Sequence, residues 1–162
     1  MDKNLLYKEF IESIELNMIN RKKIFFENHE EISFSRNNAM EMSLDIKESC
    51  DDWFVKDNHL VITKKYSILG KSKDEKNIEG EFIYRVFFSC KNMKLVEELK
   101  KDETLYRQFS FPQLNLYLWP YFREDVQSTA SKTGINNLIL PVFKINYSNP
   151  PESTCEKTEK IK

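Results

Sequence analysis

Two pairs of adjacent carboxylates, Glu124-Asp125 and Asp51-Asp52, are the first candidates for acid–base chemistry in this chain of 162 residues. Two carboxylates can act as general acid and general base when their side chains meet at one substrate. Adjacent residues of a helix point about 100° apart, and no histidine or cysteine neighbours Glu124-Asp125. We therefore interpret Glu124 and Asp125 as solvent or interface charges, and Asp51-Asp52 as a turn between strands.

Metal and thiol chemistry have equally little support. His29, beside Glu30 and Glu31, is a single histidine in an expected loop, and His59 precedes a strand. Histidine alone seldom holds a metal ion. The three cysteines lie far apart without C-x-x-C spacing, at Cys50, Cys90 and Cys155. We predict no metal site, no cofactor and no disulfide framework, and a reduced, cytoplasmic protein, because neither a signal peptide nor a membrane-spanning stretch is recognisable.

The overall composition argues against nucleotide and nucleic-acid chemistry. Only three glycines occur, at Gly70, Gly80 and Gly134, so no glycine-rich phosphate loop can form. Lys and Arg total 25 against 26 Asp and Glu, which gives a formal net charge of -1. No strong field would draw nucleic acid or an anionic membrane. We predict that the protein is not an enzyme, since no catalytic constellation is found.

The hydrophobic pattern predicts a single α+β domain over residues 1–145. Helical spacing indicates a short amphipathic helix at about 3–13, and alternation then indicates about four antiparallel strands. We place these strands at 14–18 resuming at 24–26, at 40–46 ended by Cys50-Asp51-Asp52, at 60–69, and at 81–90 after a charged connector, 70–80. A short helix around 93–99 and an aromatic loop, 104–111, follow.

A long helix ending near Thr133 is the main element after the sheet. Lys132 in the last turn and Gly134 beyond it form a helix stop. Pro120 is interpreted either as the first helical residue or as a kink in a helix that starts at Asn115. A short apolar segment, 135–143, then forms an extended piece or a short helix. Residues 146–162, rich in Glu, Lys, Ser and Thr, are predicted to be a disordered tail.

Aromatic residues are unusually abundant, at 13% of the chain. Phe82, Tyr84 and Phe88 share one face of the last strand, Phe87 lies on the other face, and further rings follow at Tyr106, Phe109 and Phe111. Core packing explains each ring alone. The set nevertheless exceeds what one sheet face needs, and we predict from it a shared exposed apolar patch.

The stretch 118–143, LWPYFREDVQSTASKTGINNLILPVF, resembles the closing region of the SecB protein-export chaperone family. The family's helix opens with an aromatic-Pro-Tyr-x-Arg-Glu motif, and later come a glycine and an apolar segment ending in proline. The matching residues here are Trp119, Pro120, Tyr121, Arg123, Glu124, Gly134 and Pro141. The resemblance, which covers about 14–144, implies four antiparallel strands before the helix and a homotetramer, a dimer of dimers with the long helices between the dimers.

The resemblance also implies the function, that of an ATP-independent holdase for unfolded or unexported polypeptides, with the SecA motor or a toxin–antitoxin client as possible partners. We assign a client groove to Tyr84, Phe88, Tyr106, Phe109, Ile139 and Phe143. We assign the oligomer interface to Trp119, Tyr121, Phe122 and Val126. The alternative is a helix-on-sheet domain that binds a small apolar ligand.

Overall fold

The structure, a computed structural model, describes residues 2–29, 43–72, 75–135, 138–140 and 159–161. Its largest element is one antiparallel sheet with the strand order β1-β4-β3-β2-β5. The strands are β1 (Ile14–Asn28), β2 (Ser43–Lys56), β3 (His59–Ser72), β4 (Glu75–Cys90) and β5 (Glu159–Ile161). The α+β class and the antiparallel sheet predicted from the sequence are confirmed.

All helices described lie before, or follow, the four long strands. They are α1 (Lys3–Ser13), α2 (Met93–Lys101), α3 (Glu103–Gln108) and α4 (Leu114–Lys132), with a π-helical turn, Phe109–Gln113, joining α3 to α4. Asp2 caps α1, Asn92 caps α2 and Asp102 caps α3 through side-chain oxygens that accept backbone N–H groups. No helix in these described ranges has the length and apolar character needed to cross a membrane.

The core lies between the helices and one face of the sheet. Alternate residues of β3 and β4 point to this inner face, and they include Leu60, Ile62, Phe82, Tyr84 and Val86, all with no exposed surface. Phe122 of α4 stacks on Tyr66 of β3, with ring centroids 4.3 Å apart. The rings of both layers therefore cover one another, which gives the helix a partner inside its own chain.

The strands are longer than the alternation predicted. β1 is continuous across the polar residues near Arg21, because register shifts at Leu16/Met18 and Arg21/Lys23 absorb the break in alternation. In the same way β2 passes through the acidic residues with a shift between Cys50 and Asp52. The prediction that Cys50-Asp51-Asp52 ends a strand is wrong, and so is the connector at 70–80, where β3 and β4 continue their pairing to Ser72 and Glu75.

A tight turn at Asp57 and Asn58 joins β2 to β3. Both residues have positive φ, 49° and 60°. Two successive residues with positive φ form the hairpin turn whose twist matches that of paired strands, and Asp and Asn tolerate this conformation well. The turn extends the second strand to Lys56, beyond the limit predicted from the sequence.

The predicted loop at 104–111 is also wrong, because these residues form α3 and the π-helical turn. The helix therefore runs from Glu103 to Lys132, and Pro120 lies well inside it rather than at its start. The predicted stop is correct: Thr133 follows the last helical residue, and Gly134 has a φ of 85°. Of the predicted disordered tail, Glu159–Ile161 pair with β2, and its other residues lie outside the described ranges, as do Pro141 and Phe143.

Candidate functional site

Three of the residues assigned to a client groove are core residues. Tyr84, Phe88 and Phe109 have no exposed surface, and the ring of Phe109 meets those of Phe10, Trp53 and Phe88 at centroid distances of 5.0, 5.4 and 5.8 Å. A folded chain cannot offer them to a partner. The argument that these rings exceed the needs of the core is wrong, because the helices supply a second apolar layer.

Tyr106 is the assigned groove residue that reaches an open depression of the surface. Its ring lies 4.8 Å from that of Trp53, and its hydroxyl donates to the Cys50 carbonyl over 3.3 Å. The depression measures about 430 Å³ and is lined by Asp51, Trp53, Lys100, Lys101, Glu103 and Tyr106. We call it the Trp53 groove. Ile139 is 62% exposed but is not among its lining residues.

The Trp53 groove lies between the end of β2 and the α2–α3 junction. The register shift after Cys50 turns Trp53 toward the helices, and Lys100 of α2 donates to the Trp53 carbonyl over 2.9 Å. The next two residues, Phe54 and Val55, are 39% and 41% exposed. Sequence reasoning missed Trp53. Its signal was the apolar run Trp53-Phe54-Val55 after an acidic pair, which we interpreted as a turn.

The residues assigned to an oligomer interface lie mostly on the inner face of α4. Phe122 and Val126 have no exposed surface, and Trp119 is 6% exposed and packs against Phe122. Their assignment to an exposed interface is wrong, because the sheet of the same chain covers them. Tyr121 is different: it is 39% exposed, and the Arg21 guanidinium lies 5.7 Å from its ring centroid.

The motif residues divide between the surface of α4 and its end. Pro120 and Glu124 are exposed, while Arg123 is half-buried. Leu116, one turn before Pro120, is 47% exposed. With Tyr121 they form the outer face of α4. Gly134 supplies the left-handed residue after the helix, where no atom within 4 Å would meet an added Cβ.

Asp125 is a buried structural carboxylate, not the solvent or interface charge that we predicted. It is 8% exposed and accepts two hydrogen bonds from Arg21 Nε, at 2.9 and 2.8 Å, and one from the Tyr84 hydroxyl at 2.8 Å. The hydrogen bond with Asp125 raises the pKa of Arg21. Burial, then the hydrogen bond to Asp125, raises the pKa of Tyr84 well above its usual value. The cluster ties β1 and β4 to α4.

A second buried network fixes the π-helical turn. Lys64 is fully buried, and its Nζ lies 2.8 Å from Glu48 Oε2 and donates to the Ser110 carbonyl over 2.8 Å. Asn115 donates to Glu48 over 2.7 Å and accepts from the Tyr66 hydroxyl over 2.6 Å. The lysine charge is thus compensated, and it links β2 and β3 to the carbonyl of the turn.

The described part of the chain contains no group of three or more His, Cys, Asp or Glu residues that could hold a metal ion. Cys50 and Cys90 are free thiols, and burial raises the pKa of Cys50. His59 Nε2 lies 2.9 Å from Asn17 Nδ2, and His29 lies 3.6 and 3.7 Å from Glu27 and Glu79. These contacts are ordinary surface interactions.

The sheet, the long helix and their order along the chain define the SecB-like fold. A solved SecB-like chaperone from Mycobacterium tuberculosis, in complex with a ChAD peptide from an antitoxin, has a TM-score of 0.68 and 12% sequence identity, covering 88% of this chain and 100% of that one. A protein of unknown function from Streptococcus agalactiae has a TM-score of 0.41 and 8% identity, covering 80% and 97%. No protein-family model and no curated protein matches the sequence.

Proposed function

We propose that the protein is an ATP-independent chaperone that binds unfolded polypeptide segments. The observation that carries this proposal is the SecB-like fold, shared over 88% of the chain with a chaperone whose solved complex contains a peptide. Binding the unfolded state and not the native state needs apolar surface and no catalytic group, since it acts by mass action alone.

Exposed apolar side chains at the end of β2 support the same proposal. Phe54 and Val55 are 39% and 41% exposed, and they adjoin the aromatic pair of Trp53 and Tyr106 in the Trp53 groove. Clustered apolar surface is typical of binding sites, whereas single exposed apolar residues are ordinary. We therefore place client binding at the Trp53 groove, with Tyr106 as the residue retained from the sequence-based assignment.

The proposal is tested by light scattering after size exclusion, with a slowly folding client diluted from denaturant and with the same client already folded. We expect co-elution with the unfolded client only, and less aggregation of that client. Tyr106→Ser should weaken capture about tenfold, as expected for an aromatic contact in a binding site. Met18→Ser is the control, because Met18 is 46% exposed on β1, away from the groove. Failure of the original chain to capture the unfolded client would contradict the proposal.

Self-association belongs to the same proposal. We propose a homotetramer in which the outer face of α4, with Leu116 and Tyr121, is covered by another copy. Leu116 is 47% and Tyr121 39% exposed, and both are large apolar residues on the described surface of a long helix. Covering them would bury apolar area, which favours association.

The class of client follows from the charge around the groove. Its rim carries two lysines, Lys100 and Lys101, and two carboxylates, Asp51 and Glu103, so neither sign of charge is favoured. We propose that clients are apolar segments, either of unexported precursors passed to the SecA motor or of an antitoxin. The antitoxin peptide bound by the Mycobacterium tuberculosis chaperone supports the second kind.

A further inference from the structure

The outer edge of β2 is the edge of the sheet next to the Trp53 groove. On its inner side β2 pairs with β3 along its full length, from Ser43 to Lys56. On its outer side it pairs with β5 at Leu44–Ile46. Within the described ranges no strand pairs with the outer side of the stretch from Glu48 to Lys56. A strand edge of this kind presents backbone N–H and C=O groups to an incoming chain.

The pairing of β5 shows that this edge accepts an extended segment. Ile161, Lys160 and Glu159 lie opposite Leu44, Asp45 and Ile46 in antiparallel register. The two segments are more than 110 positions apart in the sequence, so no hairpin turn imposes the pairing. An added strand from another polypeptide would meet the same backbone groups further along β2.

Side chains on both faces of β2 could contact such a strand at its free stretch. Trp53 turns to the helical face and forms the groove with Tyr106, whereas Phe54, opposite Val61 of β3, lies on the face without helices. Successive side chains of a strand point to alternate faces. An extended segment beside β2 would therefore place one set of side chains at the Trp53 groove and the other beside Phe54.

We propose that the outer edge of β2, from Glu48 to Lys56, takes an extended apolar segment of an unfolded polypeptide as an antiparallel strand. β5 occupies the Leu44–Ile46 end of the same edge, so a client strand long enough to reach Leu44 must displace it. This inference rests on the proposed chaperone function and deepens it. Main-chain hydrogen bonds would supply affinity independent of sequence, and the groove would select apolar side chains.

The first test uses an eight-residue peptide of alternating valine and serine with one central phenylalanine, labelled for fluorescence anisotropy. Two analogues carry N-methyl groups, one at the odd and one at the even positions. An added strand donates only every second N–H to its neighbour. One analogue should therefore bind about tenfold more weakly, through loss of several hydrogen bonds, and the other like the parent. Equal affinities of the two analogues would overturn strand addition.

The second test uses the full-length chain with Lys160→Pro and Ile161→Pro together. Proline removes the N–H from two successive residues, one of which faces β2 in any register. A fourteen-residue peptide, as long as β2, should bind about threefold more tightly to this variant, because the competing strand is lost. The eight-residue peptide, which fits beside Glu48–Lys56, should bind unchanged. An unchanged affinity for the longer peptide would show that β5 does not compete.

The outcomes separate this inference from the proposed function. If an unfolded protein client is captured while the two N-methyl analogues bind equally, the chaperone function stands and strand addition fails. If neither the unfolded client nor the peptides bind, the chaperone function itself fails. Circular dichroism of the proline variant checks that its fold is retained.

Discussion

Buried charges are the feature of this core that the sequence revealed least. Alternation in β4 correctly predicted that Phe82, Tyr84 and Phe88 share one face. It could not predict that Lys64 and Asp125 are buried beside such rings, because a charged residue in a pattern indicates solvent unless its partner is known. Each partner lies far along the chain: Glu48 and the Ser110 carbonyl for Lys64, and Arg21 and Tyr84 for Asp125.

Lys64 provides a prediction about this compensation. Lys64→Met should lower the free energy of unfolding by about 3 kcal/mol, because Glu48 and the Ser110 carbonyl lose a charged partner in the core. Adding Glu48→Gln should recover part of the loss, since the uncompensated carboxylate is removed. Urea unfolding of the single and double variants measures both effects. A double variant less stable than Lys64→Met would contradict this explanation.

Tyr84 provides a prediction about alkaline pH. The unfolded chain loses its phenol protons near pH 10, but burial and Asp125 raise the pKa of Tyr84 in the fold. Above pH 10 the unfolded state therefore binds fewer protons than the fold, and the free energy of unfolding falls as pH rises.

Tyr84→Phe should cost about 1 kcal/mol at pH 8, where a hydrogen bond to Asp125 is lost, and the cost should shrink by about 1 kcal/mol by pH 11. Urea unfolding at the two pH values measures this. Tyr121→Phe, at an exposed ring, is the control and should show no such trend. A cost independent of pH would contradict the linkage.

The long helix shows which element boundaries a local pattern can predict. Its end was predicted because Lys132 and Gly134 act within one turn. Its start was not, because the π-helical turn at Phe109–Gln113 depends on a distant contact between Lys64 and the Ser110 carbonyl. Pro112 and Pro120 suggested breaks, yet both lie inside the helical segment, where packing on the sheet compensates for their missing N–H groups.

Gly134 tests the helix stop. Its φ is 85° and its surroundings are open, so an added Cβ would strain the backbone alone. Gly134→Ala should lower the free energy of unfolding by about 1 kcal/mol, the cost of a left-handed conformation in a residue with a Cβ. Ser131→Ala, at an exposed position of the last turn, should change it by less than about 0.5 kcal/mol. Equal effects of the two variants in urea unfolding would contradict this role.

At the scale of the whole molecule, the α+β class and antiparallel sheet were predictable, and the surfaces were not. Strand alternation is local, but whether a face is covered depends on which elements pack there. Tyr84, Phe88, Phe109, Phe122 and Val126 were assigned to grooves or interfaces and are core residues. Trp53 and the outer edge of β2 were missed, because strand order cannot be derived from one strand's pattern.

The outer face of α4 provides a prediction about assembly. The double variant Leu116→Asp and Tyr121→Asp should lower the native mass from about four chains to fewer, because two charges in a buried apolar contact oppose association. Light scattering after size exclusion measures the mass. Leu5→Asp, at a residue of α1 that is 48% exposed, is the control. An unchanged mass in the double variant would place the contact elsewhere.

The strand order also has a consequence for the time course of folding. Strands β2, β3 and β4 follow one another and can form by successive hairpins, but β1 pairs with β4, from Ile14 with Cys90 to Asn28 with Ile78. The first strand synthesised therefore has to wait until the fourth has left the ribosome. Contacts at such a separation slow folding, because the intervening chain must first be ordered. Until then β1 is an exposed strand of a newly made chain, the same kind of segment that we propose this protein binds.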